Sequence, residues 1–214
     1  MQHPSSLFSG LSHLIGAALS LFGLVVLLNR AGDRPGHLVA FAVYGATLFL
    51  AYLASSLFHC SKAGPRVQRR LFTFDRAAIF GLIAGTYTPI CLLALGGVWG
   101  WSLLGVVWGL ALVGIVGDAL SGSKAPDWLS GLVYLVMGWV ALIALGPLCR
   151  ALPPLALGLL FAGCLIYTVG AVICVTEWPR LRPGSFGAHD LWHVLVMAGS
   201  ACHFALMLRF IAPL

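Results

Sequence analysis

The residues best equipped for chemistry in this chain are histidines set in sequence that otherwise suits lipid. His189 and His193 stand four apart in HDLWHVLVMAGSACHF, a segment whose other residues are mostly apolar. Four positions along a helix make about one turn, so the two imidazoles project from one side and can hold one metal ion between them. A third ligand must come from another helix, and His59, closing SSLFH, is the donor at the matching level. Ser55 lies one turn before His59 on the same face, placed to orient it or to bind a water. Asp75 can accept a hydrogen bond from water on the metal or from a histidine ring, a supporting contact that metal sites usually need. Three neutral nitrogens leave a fourth position open, the pattern of catalytic rather than closed structural zinc. The plainer alternative is a set of interfacial histidines at helix ends, and an isolated HxxxH does not decide between the two.

The elements that must carry these residues are transmembrane helices. Of 214 residues, 60% are hydrophobic and 8% charged, where a soluble domain has about 25% charged. Crossing roughly 30 Å of hydrocarbon takes about 20 apolar residues in a helix, because open backbone finds no water there. Seven runs of that kind are countable, at 11–28, 37–59, 74–95, 99–120, 128–145, 155–175 and 189–211. They are separated by NRAGDRPG, SKAGPRVQRR, GG, SGSKAPD, GPLCRALPP and EWPRLRPGSFG. The expectation is an all-α integral membrane protein, a single seven-helix bundle over 1–214 with no soluble domain. The odd count rests on the break at Gly96 and Gly97, whose flanks stay apolar.

Span parity then brings distant residues to one depth. The second span ends at His59, the third begins at Asp75, the seventh begins at His189, and His13 lies near the start of the first. The net charge of +6 follows the same topology and does not call for a nucleic-acid partner. Lys62, Arg66, Arg69, Arg70, Arg76, Lys124, Arg180 and Arg182 fall on one side, against Arg30, Arg34, Arg150 and Arg209 on the other. This bias places the N-terminus in the cytoplasm. MQHPSSLFSG lacks the basic region of a cleavable signal, so the first span is read as retained.

The remaining polar groups take plainer roles. His203 lies ten residues beyond His193, roughly 15 Å along the axis, too deep to share the ion, and is expected to bond between helices. His13 is on the right level without an i, i+4 mate, which suits support better than ligation. Asp190 is turned about 100° from His189 and reads as a capping-region charge. Asp118 reads as facing a loop, and KAGPRVQRR as a topogenic loop that can also touch anionic headgroups. The six cysteines form no CxxC pair, so neither a zinc knuckle nor a disulfide framework is implied.

The pieces SSLFH at 55–59, FDRAAIFGLIAGTYTP at 74–89, LIYTVGAV at 165–172 and HDLWHVLVMAGSACHF at 189–204 together carry a resemblance. Over nearly its whole length the chain resembles the progestin and adipoQ receptor family, and within it the bacterial haemolysin III branch. The resemblance implies a zinc site with His59, His189 and His193 as ligands, Asp75 beside the metal-bound water and Ser55 nearby. Family members often carry a glutamate and an asparagine where this chain has Ser5 and Ser9. No ligand is touched by that departure, but the polar bridge those residues make must be weakened or replaced.

The resemblance also implies a reaction, since receptor relatives are described as hydrolysing the amide of ceramide and alkaline ceramidases have a similar site. A zinc ion on three histidines lowers the pKa of bound water to about 7 and polarises an amide carbonyl, with Asp75 as general base and then general acid. The substrate is then a membrane lipid amide entering sideways in the bacterial inner membrane, past a third span loosened by Gly81, Gly85 and Thr88-Pro89. A regulator of membrane homeostasis with structural zinc would use the same ligands. A pore-forming cytolysin fits poorly, because these spans have no soluble alternative. A transporter would place its ionisable groups near the midplane at a repeat interface, and here they mass at one end.

Overall fold

Hydropathy and proline placement together dictate where the helices run. The computed structural model describes residues 7–121, 127–179 and 186–214, and these are helical apart from short connections. Helix α1 is Leu7–Ala31, α2 Pro35–Cys60, and α3 Pro65–Pro89, which continues as a π-helical turn over Ile90–Leu95. Helix α4 is Gly97–Ser121, α5 Asp127–Trp139 and α6 Leu145–Ala151, the last two joined by a 3₁₀ turn over Val140–Ala144. Helix α7 is Pro154–Thr176, and α8 is Ala188–Leu206 with a π-helical turn at Met207–Ile211. Proline opens α2, α3 and α7, where its missing N–H has no intrahelical partner to lose.

Among the described residues, seven helical spans of 23 to 31 residues are long and apolar enough to cross a membrane. The Gly96-Gly97 break is real, since both residues have positive φ (57° and 49°), which glycine adopts without steric cost. Two spans differ from the sequence expectation. The third begins at Pro65, so most of the basic run is the first turns of α3, anchored by Gln68 Nε2 donating to Phe58 O at 3.0 Å. The fifth is broken in the middle and continues to Ala151. The break puts Pro147 in the first turn of α6, where a proline costs no hydrogen bond. Tyr87 from α3 supports the irregular backbone, its hydroxyl accepting from Ala141 N at 2.9 Å and lying 2.8 Å from Gly138 O.

The helices pack in chain order around a ring that closes on itself. Neighbours α1 with α2, α2 with α3, α3 with α4, α4 with α5, α5 with α7 and α7 with α8 are in contact, and α8 returns to α1. The first span is therefore flanked by the second and the seventh. Outward faces are apolar, with Phe22, Val113 and Ile143 each about two-thirds or more exposed (68%, 72% and 71%), as bilayer-facing side chains should be. Exposed Trp99 and Trp101 stand at one end of the bundle, and Trp128 and Trp178 at the other, matching aromatic belts at two interfaces.

Two sequence expectations are corrected inside the bundle. Asp118 does not face a loop: it is buried and takes a two-point hydrogen bond from Arg76, Nε to Oδ2 and Nη2 to Oδ1, both at 2.9 Å. Ser130 of α5 donates to Asp118 Oδ1 at 3.2 Å and touches Arg76 Nη2. Arginine's planar fork matches a carboxylate at two points, and the contact ties α3, α4 and α5 together at the Asp75 end. Gly85 does not loosen α3 either. A Cβ there would collide with the Thr47 hydroxyl of α2, so its role is close helix approach.

Candidate metal centre

Ser55 and His59 fall on the buried face of the last turns of α2. His189 and His193 occupy the first turns of α8, whose start is fixed by Asp190 Oδ2 accepting Gly187 N–H at 2.9 Å. This is the capping role that the sequence suggests for Asp190. Its second oxygen does more, accepting from the Ser9 hydroxyl of α1 at 2.7 Å in a buried contact across 181 residues. Ser9 thus makes the bridge to α8 that the replaced asparagine left in question. Ser5 lies outside the described residues, as do Lys124, Arg180, Arg182 and most of MQHPSSLFSG.

The three predicted ligands converge. Donor atoms of His59, His189 and His193 lie within 4.8 Å of one another, with His59 and His193 buried and His189 half-buried. His193 Nε2 stands 3.0 Å from His189 Nε2, and His189 Nε2 stands 3.4 Å from His59 Nε2. A tetrahedral ion with nitrogens at about 2.0–2.1 Å has an edge of about 3.3 Å between ligands. These two separations bracket that edge, and Nε2 of each ring is the nitrogen turned toward the others. The residues present therefore fit a metal ion, and three uncharged nitrogens suit a divalent ion of intermediate softness.

The back of two rings is also held. His193 Nδ1 meets His13 Nε2 at 2.9 Å, and His189 Nδ1 meets Cys174 Sγ of α7 at 3.7 Å. His13, expected to support rather than to ligate, presents its Nε2 to the outer nitrogen of the His193 ring. Asp75 of α3 lies beside Ser55, which stands one turn before His59 on α2. Cys174 is the contact that sequence reading missed. Its signal was parity, since the end of the sixth span lies at the same level as the start of the seventh. His203 stays apart, bonded to Leu160 O of α7 at 3.2 Å as an interhelical group.

Similarity to known proteins covers the whole arrangement. A family model described as "Haemolysin-III related" matches residues 1–204. Hemolysin-3 of Bacillus cereus is 38% identical over 214 residues, spanning 96% of this chain and 91% of the relative. The Hemolysin-3 homolog of Bacillus subtilis (strain 168) is 38% identical over 211 residues, spanning 94% of this chain and 92% of the relative.

Proposed function

This chain belongs to the haemolysin-III-related family of multi-pass membrane proteins, and from that membership we propose a zinc-dependent hydrolase of lipid amides. The observation that carries the reading is the convergence of the His59, His189 and His193 ring nitrogens within 4.8 Å of one another. We place it in the bacterial inner membrane with its N-terminus in the cytoplasm, so that the centre lies at the inner leaflet.

His59, His189 and His193 would hold the ion, which when bound supplies a Lewis acid for an amide carbonyl and an acidified water near neutral pH. Asp75 takes the proton of the attacking water on a carboxylate oxygen and returns it to the departing amine nitrogen as the C–N bond breaks. The products are a fatty acid and an amine. Ser55, beside that carboxylate, would orient it. The apolar exterior lets a lipid amide enter sideways between helices, with its tails in the bilayer.

The test combines metal content with turnover. Purified parent protein should hold about one zinc per chain and hydrolyse a fluorescent ceramide in mixed micelles. His59→Ala, His189→Ala and His193→Ala should lose both, while Asp75→Asn should keep the zinc and lose turnover. Zinc kept in all three histidine variants would overturn the site. Zinc bound without hydrolysis of any lipid amide would instead favour a metal that fastens α2 to α8 in a regulatory protein.

A further inference from the structure

Among the described residues the first span supplies no nitrogen to the candidate centre, yet it touches the histidine set at its most buried member. His13 is buried among α1, α2 and α8, and its Nε2 lies 2.9 Å from His193 Nδ1, with ring centroids 4.0 Å apart. Resting on the metal-binding part of the reading above, we propose that His13 is a positioning residue that sets the proton and the orientation of His193.

The argument is one of ring chemistry. A neutral imidazole carries one proton, so a His193 that offers its Nε2 lone pair to an ion must carry that proton on Nδ1. His13 Nε2 is the atom there to accept it, which leaves His13 with its own proton on a buried Nδ1 that meets no acceptor among the described residues, a cost that binding of the ion must offset. Without His13 the buried N–H of His193 would lose its acceptor, and the competing form with the proton on Nε2, pointing at His189, would gain. Outer partners of this type usually change metal affinity by about 10- to 100-fold.

His13 is itself braced against rotation. Its ring sits edge-on to Tyr52 of α2, with centroids 4.9 Å apart at 84°. The Tyr52 hydroxyl donates to Ser200 of α8 at 2.7 Å. Gly16 leaves room for the Tyr52 ring, since a Cβ at that position would lie 2.8 Å from it. The support thus runs from α8 through α2 and α1 and back to α8, so three spans fix the angle of one ligand. Cys174 behind His189 is a weaker counterpart, because sulfur is a poor acceptor and the contact is 3.7 Å.

The experiment measures zinc affinity in detergent by competition with a chromophoric chelator. His13→Leu should bind zinc about 10- to 100-fold more weakly than the parent, and Cys174→Ala should change little. His13→Gln should recover most of the affinity, because its amide oxygen reaches the place of Nε2. His13→Asn, equally polar but shorter, should not. Nitrogen-15 NMR of the zinc-loaded parent should show a His193 Nδ1 proton in a short hydrogen bond, a readout that needs no variant to fold. Equal affinity in His13→Leu and parent, or a zinc-loaded parent with no proton on His193 Nδ1, would overturn the proposal and leave the metal site standing. A parent that binds no zinc, or a His189→Ala protein that binds as tightly as the parent, would instead remove the site itself.

Discussion

Replacing Asp118 by leucine should be among the most damaging single changes outside the metal centre. Arg76 and Asp118 have side chains only 9% exposed, and Arg76 makes two 2.9 Å contacts to the carboxylate. Without the carboxylate, the guanidinium loses both of these charged contacts, and the Ser130 hydroxyl and Phe72 ring that also meet it are neutral. Breaking a buried pair from one side costs about 3–5 kcal/mol, whereas swapping both partners for apolar residues of similar volume is often near neutral. Within a bilayer the unfolded reference also finds partners, which pulls such values toward the lower end. We therefore expect about 3 kcal/mol for Asp118→Leu, a similar cost for Arg76→Met, and about 1 kcal/mol or less for the double variant. Equilibrium unfolding in mixed micelles by increasing SDS gives all three, and the cycle yields the coupling directly. A double variant as unstable as the sum of the singles would refute the reasoning, since it would mean that the two side chains stabilise α3 and α4 independently. Because Arg76 follows Asp75 in α3, each single variant should also lower turnover more than zinc content.

Four further outcomes follow from the same geometry. Gly163→Ala should unseat His203, because the new Cβ would lie 2.5 Å from its Nε2; loss of the bond to Leu160 should appear as a lowered unfolding midpoint with zinc content unchanged. Tyr87→Phe should cost about 1–3 kcal/mol, since the buried Ala141 N–H loses its acceptor, and hydrogen exchange should quicken at 140–144. Ser9→Ala should destabilise the α1 to α8 junction by about 1.5–3 kcal/mol, the range for a bond to a charged group, measured by the same SDS titration. Zinc at 100 times its dissociation constant should stabilise the parent by about 2.7 kcal/mol; a chelator should remove that gain in the parent and change nothing in His193→Ala.

Much of this fold is legible in the sequence because a bilayer imposes a length and a hydropathy that few other environments require. The seven spans and the glycine break are of that kind. The start of α3 is not, since Arg66, Arg69 and Arg70 read as loop by charge; Pro65 at the first helical position was the local signal of a helix beginning there. Asp118 was misread because its partner lies 42 residues away, although an acid inside an apolar helix calls for one. The 3₁₀ turn at Val140–Ala144 has no composition of its own, and only Pro147 downstream hints that a continuous helix would be costly. At the centre, spacing alone brings out His189 and His193, parity adds His59 and His13, and the contacts of Ser9 and Cys174 require coordinates.

The three nitrogens that could hold an ion are divided unevenly along the chain, one on the second span and two on the seventh. A ribosome that has delivered six spans to the membrane has therefore made only one of the three. The set is complete only when the seventh span threads in beside the first. Metal capture would then mark the completion of insertion, and a nascent chain stalled before that point would stay open to a quality-control protease.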